Sequence, residues 1–339
     1  MNTIECFNGL PIEYEAFLIK KYDSFITTCR YVEIYGKDKD INYMLVYQDG
    51  VLIELLIFGN KGCTATCFNS LVGIDQNIVR ECAKKLFEKY PAIQKVHIEA
   101  SFKDYALNMS FLVFQSDDYI LNLPSTTDDY YLELGSRTRK HIKQRIKRLQ
   151  SEFHQVNFIT TIGAEIEKSV IDKIIQFNRE RMKIKGKISG IDITYQNNIY
   201  KYSQHYGCVT YLELDGVIVA GCIATILNKG IFLHVIAHDN NFYTYNVGEI
   251  CAFYTIQASI ERGLSAVHFL WGESELKKRF LAQPYLLFSY FIYRAYSLDY
   301  ILCKFRALLV NNKDSFKHSK YSKPIKTAIK SYRKRISQE

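Results

Sequence analysis

Three histidines, a glutamate–lysine pair and a helix start account for most of the chemistry this chain could carry. His234 and His238 lie four residues apart in an apolar segment, 231–238, that reads as a β-strand. Strand side chains alternate, so both are expected on one face with Phe232 and Ile236. Histidine titrates near neutrality and suits proton transfer. His238 would stand near the strand end, and His234 reads equally well as a hydrogen-bonded core residue. His268, on a strand expected at 266–271, could complete a cluster. No Asp or Cys nearby has ligand spacing, so no metal site is expected. Glu273 and Lys277 sit one helical turn apart and could pair. The segment Asn246, Val247, Gly248 opens an expected helix, 247–262, whose free amides and macrodipole would favour an anion. Tyr243 and Tyr245 flank it.

The elements that must hold these residues form a meander. Strands are expected at 208–214, 217–227 and 231–238, joined by Asp215-Gly216 and Asn228-Lys229-Gly230. Asp-Gly between apolar runs is a strong hairpin signal, because a type I′ turn needs positive φ at both central residues. Asn246 would cap the helix and Gly263 end it. The same order occurs earlier: strands at 43–47, 51–58 and 63–68, turns at Asp49-Gly50 and Asn60-Lys61-Gly62, a helix at 75–89 and a strand at 95–100. A tandem duplication explains this repetition, although such turns also recur by chance in β-rich chains. Residues 1–42 read as mixed helix and loop.

Between the halves, 131–153 reads as one long helix with a narrow apolar stripe (Ile142, Ile146, Leu149, Phe153) and seven basic side chains between Arg137 and Arg148. Such a face either is merely solvated or forms a wall beside a phosphate-bearing ligand. Helix 164–183 follows, then a basic loop, 185–190. A short helix (274–280), a strand (285–293), a helix (298–310) and a basic amphipathic helix (324–336) end the chain; the last suits docking on the body, an anionic membrane surface or an acidic partner.

Composition bounds the rest. The chain has 339 residues, 48% of them apolar, enough for two ordered domains. Net charge is +9, concentrated at 137–148 and beyond 304. Nine cysteines, an odd number mostly inside apolar runs, suggest reduced, buried thiols. No basic-then-apolar leader and no membrane span is visible, so a cytoplasmic location is expected, with peripheral membrane contact through the basic tail as an option.

Several of these features resemble the double-domain branch of the GCN5-related N-acyltransferase (GNAT) superfamily, which includes the FemABX aminoacyltransferases and the BioF2-like and CelD-like acetyltransferases. The matching residues are 137–149, the hairpin Asp215 to Gly221, the segment Tyr243 to Gly263, and Trp271-Gly272-Glu273 followed by Lys277. The resemblance implies an α/β (α+β) fold of two tandem GNAT-like domains, each a mixed, mostly antiparallel sheet flanked by helices. These would be a degenerate domain at 1–130, a connecting helix at 131–153, a catalytic domain at 154–310 and a tail at 311–339.

It further implies direct transfer of an acyl group from acetyl-CoA or another acyl-CoA, or from an acyl-carrier protein, to a small or lipid-like amine acceptor, without a metal. The donor would lie on Asn246, Val247 and Gly248 beside Tyr245. His238, His234, Glu273 and His268 would be the proton-transfer candidates, and Lys277, Trp271 and Glu213 would contact substrate. Two departures stand out: the usual glycine-rich loop is reduced to Gly248, and Glu249 follows it. Glu249 could instead close a capping box with Asn246. CelD-like relatives also tend to carry Asp where His268 stands and Tyr where Leu276 stands. A FemABX-like use of aminoacyl-tRNA, or a degenerate binding scaffold, are the alternatives.

Overall fold

The computed structural model describes residues 2–103, 105, 110–295, 297 and 300–302. The first half comprises β1 (Asn2–Asn8), α1 (Glu15–Tyr22), α2 (Cys29–Tyr35), β2 (Asp40–Gln48), β3 (Val51–Lys61), β4 (Thr64–Cys67), α3 (Gln76–Lys89), β5 (Lys95–Ser101) and β6 (Ser110–Asn122). Helices α4 (Thr127–Glu133) and α5 (Ser136–Glu152) follow. The second half repeats the plan with β7 (Val156–Ile162), α6 (Lys168–Ile184), α7 (Ile193–Tyr206), β8 (Gly207–Leu214), β9 (Val217–Leu227), β10 (Gly230–His238), α8 (Val247–Glu261), β11 (Ala266–Trp271), α9 (Glu275–Arg279) and β12 (Gln283–Tyr293). The tail at 324–336 and most of 298–310 fall outside the described residues.

The expected hairpins form. Asp49 and Gly50 have φ of 51° and 78°, and Asp215 and Gly216 have 50° and 79°, the paired positive values a type I′ turn requires. Other expectations fail locally. The single helix at 131–153 is two helices, because Leu134 and Gly135 are extended (ψ 142° and 141°). Residues 1–42 hold a strand, β1, besides helices. Of the eight described cysteines, all free, Cys63 is exposed and Cys6 half-buried, so burial holds only for the other six.

All the strands join one twelve-stranded sheet in the order β1-β2-β3-β4-β5-β12-β6-β11-β10-β9-β8-β7. Among the described strand pairs, β4–β5 and β10–β11 are the parallel ones; both come from the step in which a helix returns the chain to the sheet. The halves exchange their last strands: β12 pairs with β5 of the first half, and β6 with β11 of the second. This interleaving makes two copies of one plan a continuous body. One large core lies where α4, α5 and α8 cover the second half's sheet. On the opposite face, α6 and α7 form another core, and α7 meets α2 of the first half. Gly221 is needed for this: a Cβ there would stand 2.3 Å from Ile174 Cδ1 on α6.

Candidate active site

The site begins where two strands part. β10 and β11 share only the register Gly230–Phe232 with Ala266–His268, although β10 continues to His238 and β11 to Trp271. At the parting, β10 carries a bulge against β9 between Leu233 and Val235. Leu270 and Gly272 take φ of 56° and 82°, turning the end of β11. A cavity of 340 Å³ opens there, with Leu233, His234 and Val235 on one wall and Phe269, Leu270 and Trp271 on the other. Phe25, Tyr31 and Tyr35 of the first half and Tyr195 of α7 enclose it.

The bulge rearranges the histidines. A bulge inserts one residue and resets the alternation of side chains, so His234 and His238 face opposite sides of the sheet and the expected shared face does not exist. His234 points into the cavity; its Nε2 is 2.8 Å from Thr225 Oγ1 and its ring meets Phe25 edge-on at 4.7 Å. Burial pulls its pKa down to about 4, well below the neutral range expected of a general base. His238 turns toward α8, with Nδ1 2.8 Å from where a Cβ on Gly248 would stand. Its pKa is also depressed, by burial first and by Arg181 and Lys185, with Asp239 opposing. His268 forms no cluster with them. Its Nδ1 lies 2.7 Å from Oδ2 of the fully buried Asp118 on β6, and its ring stacks on Phe232 at 4.4 Å. Among the described residues no group of three His, Cys, Asp or Glu side chains could hold a metal ion.

The start of α8 also differs from expectation. Asn246 is left-handed (φ 53°) and makes no side-chain cap, so the capping box with Glu249 is absent. Glu249 is instead held by Arg145 at 2.7 Å and Arg279 at 2.9 Å, and its side chain is 7% exposed. Two guanidinium groups against one carboxylate leave this corner net positive. Val247 and Gly248 are buried, and the imidazole of His238 covers Gly248, so the helix start is not an open mouth. Gly248 is required by that contact. Tyr245 bonds Glu152 and lies under Arg148, whose guanidinium is 4.2 Å from the ring centre. Arg181, half-buried near His238, has no acceptor among the described residues, and its Nε is buried.

Lys277 and Glu273 do not pair. Lys277 is buried, and its ammonium donates to the carbonyls of Leu270, Trp271 and Gly272 at 2.9, 2.8 and 2.6 Å. Burial lowers its pKa to about 8 against the opposing charge of Asp118. Its position thus caps the turned end of β11 and fixes Trp271 at the cavity mouth. Glu273 bonds Lys278 at the surface. Glu213 lies on β8, two strands away from β10, outside the cavity. Sequence reading missed Asp118, Arg145 as a partner of Glu249, and the aromatic wall. Asp117-Asp118 inside an apolar strand was the one available signal, since a buried carboxylate needs a partner.

Comparison with known proteins adds a domain match and a shared fold. The profile of the acetyltransferase (GNAT) domain matches residues 136–278. No curated protein sequence matches the chain. Among solved structures, FemX is similar at 11% identity and a TM-score of 0.61, over 86% of this chain and 97% of FemX. The C-terminal domain of a putative lysylphosphatidylglycerol synthetase from Agrobacterium fabrum is similar at 12% identity and a TM-score of 0.54, over 88% of this chain and 95% of that one. The L-PGS from Bacillus licheniformis follows at 14% and 0.53, over 88% and 96%. At such identities the likeness is one of fold: residues 136–278 match the acetyltransferase (GNAT) domain, and the chain as a whole shares its double-domain fold with FemX and the lysylphosphatidylglycerol synthetase domain.

Proposed function

We propose that the protein transfers an acyl group from an activated carrier to an amine, with the reaction at the parting of β10 and β11. The observation that supports this most is the cavity at the bulge, inside the segment that matches an acetyltransferase domain. Beyond Phe232 the edge of β10 that faces β11 is unpaired. Its N–H groups are available to a carbonyl oxygen and to the negative charge it develops. The amine attacks from the aromatic side, a C–N bond forms, and the carrier leaves as its bond to the acyl carbon breaks. A pKa of about 4 makes His234 too weak to deprotonate a free ammonium, but adequate for the acidic N–H of the tetrahedral adduct. The uncharged walls supply the other half of the task by favouring a neutral amine.

For the donor we favour an acyl thioester, acyl-CoA or acyl-carrier protein. With Val247 and Gly248 covered, its phosphates would rest on Arg181, Lys185 and the Arg145–Arg279 corner, with Asn246 and Tyr245 at the rim. His238 would be a positioning residue over Gly248. An aminoacyl-tRNA donor is the second reading. Arg137, Lys140, Lys143 and Lys147 are exposed on α5 and have no acidic partner among the described residues, a row that suits RNA phosphates. Among those residues no helix is long and apolar enough to cross a membrane; we place the protein in the cytoplasm, where both donor classes are made. Calorimetry with acetyl-CoA, octanoyl-CoA, an acyl-carrier protein and an aminoacyl-tRNA, followed by mass spectrometry of offered amines, tests the proposal. Binding of one donor and an amide product are expected; no binding to any of them overturns it.

A further inference from the structure

The chemistry of the cavity wall narrows the acceptor. Among the described residues that line it, none carries a charged side chain. His234, the one histidine there, is held neutral by burial. The wall is a run of rings drawn from both halves: Phe25 meets Tyr31 at 5.5 Å, Tyr31 meets Tyr35 at 4.5 Å, and Tyr35 meets Tyr195 at 5.6 Å. Burial raises the pKa of Tyr31, Tyr35 and Tyr195, so all three stay neutral phenols. Trp271 and Tyr195, 47% and 43% exposed, stand at the mouth.

A ligand with a second ammonium would find no carboxylate here, and one with a carboxylate or phosphate would find no cation. Burying either charge unpaired is costly. Rings, by contrast, reward flat apolar surface. The volume of 340 Å³ is near the lower end of small-molecule sites, about 300–1,000 Å³.

We propose that the acceptor is a primary amine on a compact, uncharged apolar body, which seats between the first half's aromatic residues and Tyr195 while its nitrogen points at the bulge. This rests on the transferase reading for the meaning of "acceptor", but not for the binding itself. The assignment excludes amino acids and polyamines, whose second charge finds no partner, as preferred substrates.

Trp271 is the chain's single tryptophan, so its fluorescence reports occupancy of this cavity without any donor. The full chain is titrated with 2-phenylethylamine, hexylamine, lysine and glucosamine, with calorimetry as a second readout. Saturable binding of the first two, at least about tenfold tighter than the last two, is expected. Tyr195→Ala should weaken 2-phenylethylamine about threefold to tenfold, and Tyr195→Phe should retain it. Lysine or glucosamine binding as tightly, no binding of either apolar amine, or an unchanged affinity in Tyr195→Ala would overturn the inference. Transfer to a polar amine without 2-phenylethylamine binding would remove this inference and leave the transferase; 2-phenylethylamine binding with no transfer from any donor would do the reverse.

Discussion

The two halves build the same meander, helix and parallel strand, yet only the second leaves a gap. In the first half β4 is four residues long, pairs with β5 over its whole length (Thr64–Cys67 with Lys95–Ile98) and stops. In the second, β10 runs six residues past its last pair with β11, Phe232–His268, and bulges away. The helix starts differ in the same sense. Asp75 caps α3 with its own carboxylate, accepting from the Asn77 amide at 2.8 Å, whereas α8 begins at a left-handed Asn246 with no side-chain cap. One copy has closed its strand parting and helix end with its own atoms. It also lends β6 and an aromatic wall to the other. On the proposed reading, asymmetry between the copies, more than the shared plan, marks the working site.

The comparison predicts unequal costs at matched places. Glu249→Ala leaves Arg145 and Arg279 without their acidic partner at the start of α8 and should destabilise by about 3 kcal/mol in urea unfolding. At the start of α3, Asp75→Ala loses one cap bond and should cost about 1 kcal/mol. Equal losses would remove the claimed difference between the two helix starts. In activity, His234→Ala should lower kcat about 100-fold, while His97→Phe, on β5 of the first half, should leave it unchanged. A matching loss in His97→Phe would mean that both halves take part.

His97 and His234, one in each half, share a property: burial holds both near pKa 4. The unfolded chain takes up protons first, near pH 6.5, while the folded sites resist to about 4. Stability is therefore whole above pH 6.5 and is lost as pH falls toward 4, by about 3 kcal/mol per histidine. His97→Phe and His234→Phe should each flatten that slope; an unchanged slope in either variant contradicts its burial as a neutral ring. Smaller still, Gly248→Ala must displace His238 and should cost about 1–2 kcal/mol, against a few tenths for Asn77→Ala at the matched turn of α3.

Much of the plan was legible because it is local. Asp49-Gly50 and Asp215-Gly216 announce the hairpins through backbone chemistry that no distant contact alters. The site was legible only in part, because its geometry is tertiary. Nothing near His234 in the sequence signals the bulge, so strict alternation placed His238 on the wrong side. The exchange of β6 and β12 depends on how the halves dock, and it is this exchange that brings Asp118 to His268 across 150 residues. Tyr31 and Tyr35 lie in a segment that reads only as mixed helix and loop, and their partner Tyr195 is on a helix of the other half. Lys277 looked like a partner for Glu273 because helical spacing permits it, but the carbonyls of a turned strand end satisfy an ammonium better than an exposed carboxylate does.

On the proposed reading the donor binds at the free edge of β10 and nowhere in the first half. Amide hydrogen exchange, resolved by peptide, with and without saturating acetyl-CoA and then an aminoacyl-tRNA, tests it directly. Protection of Val235 to His238 by one of these donors, with Thr64 to Cys67 unchanged, is the predicted result. Protection confined to the first half, or none with either donor, would contradict it.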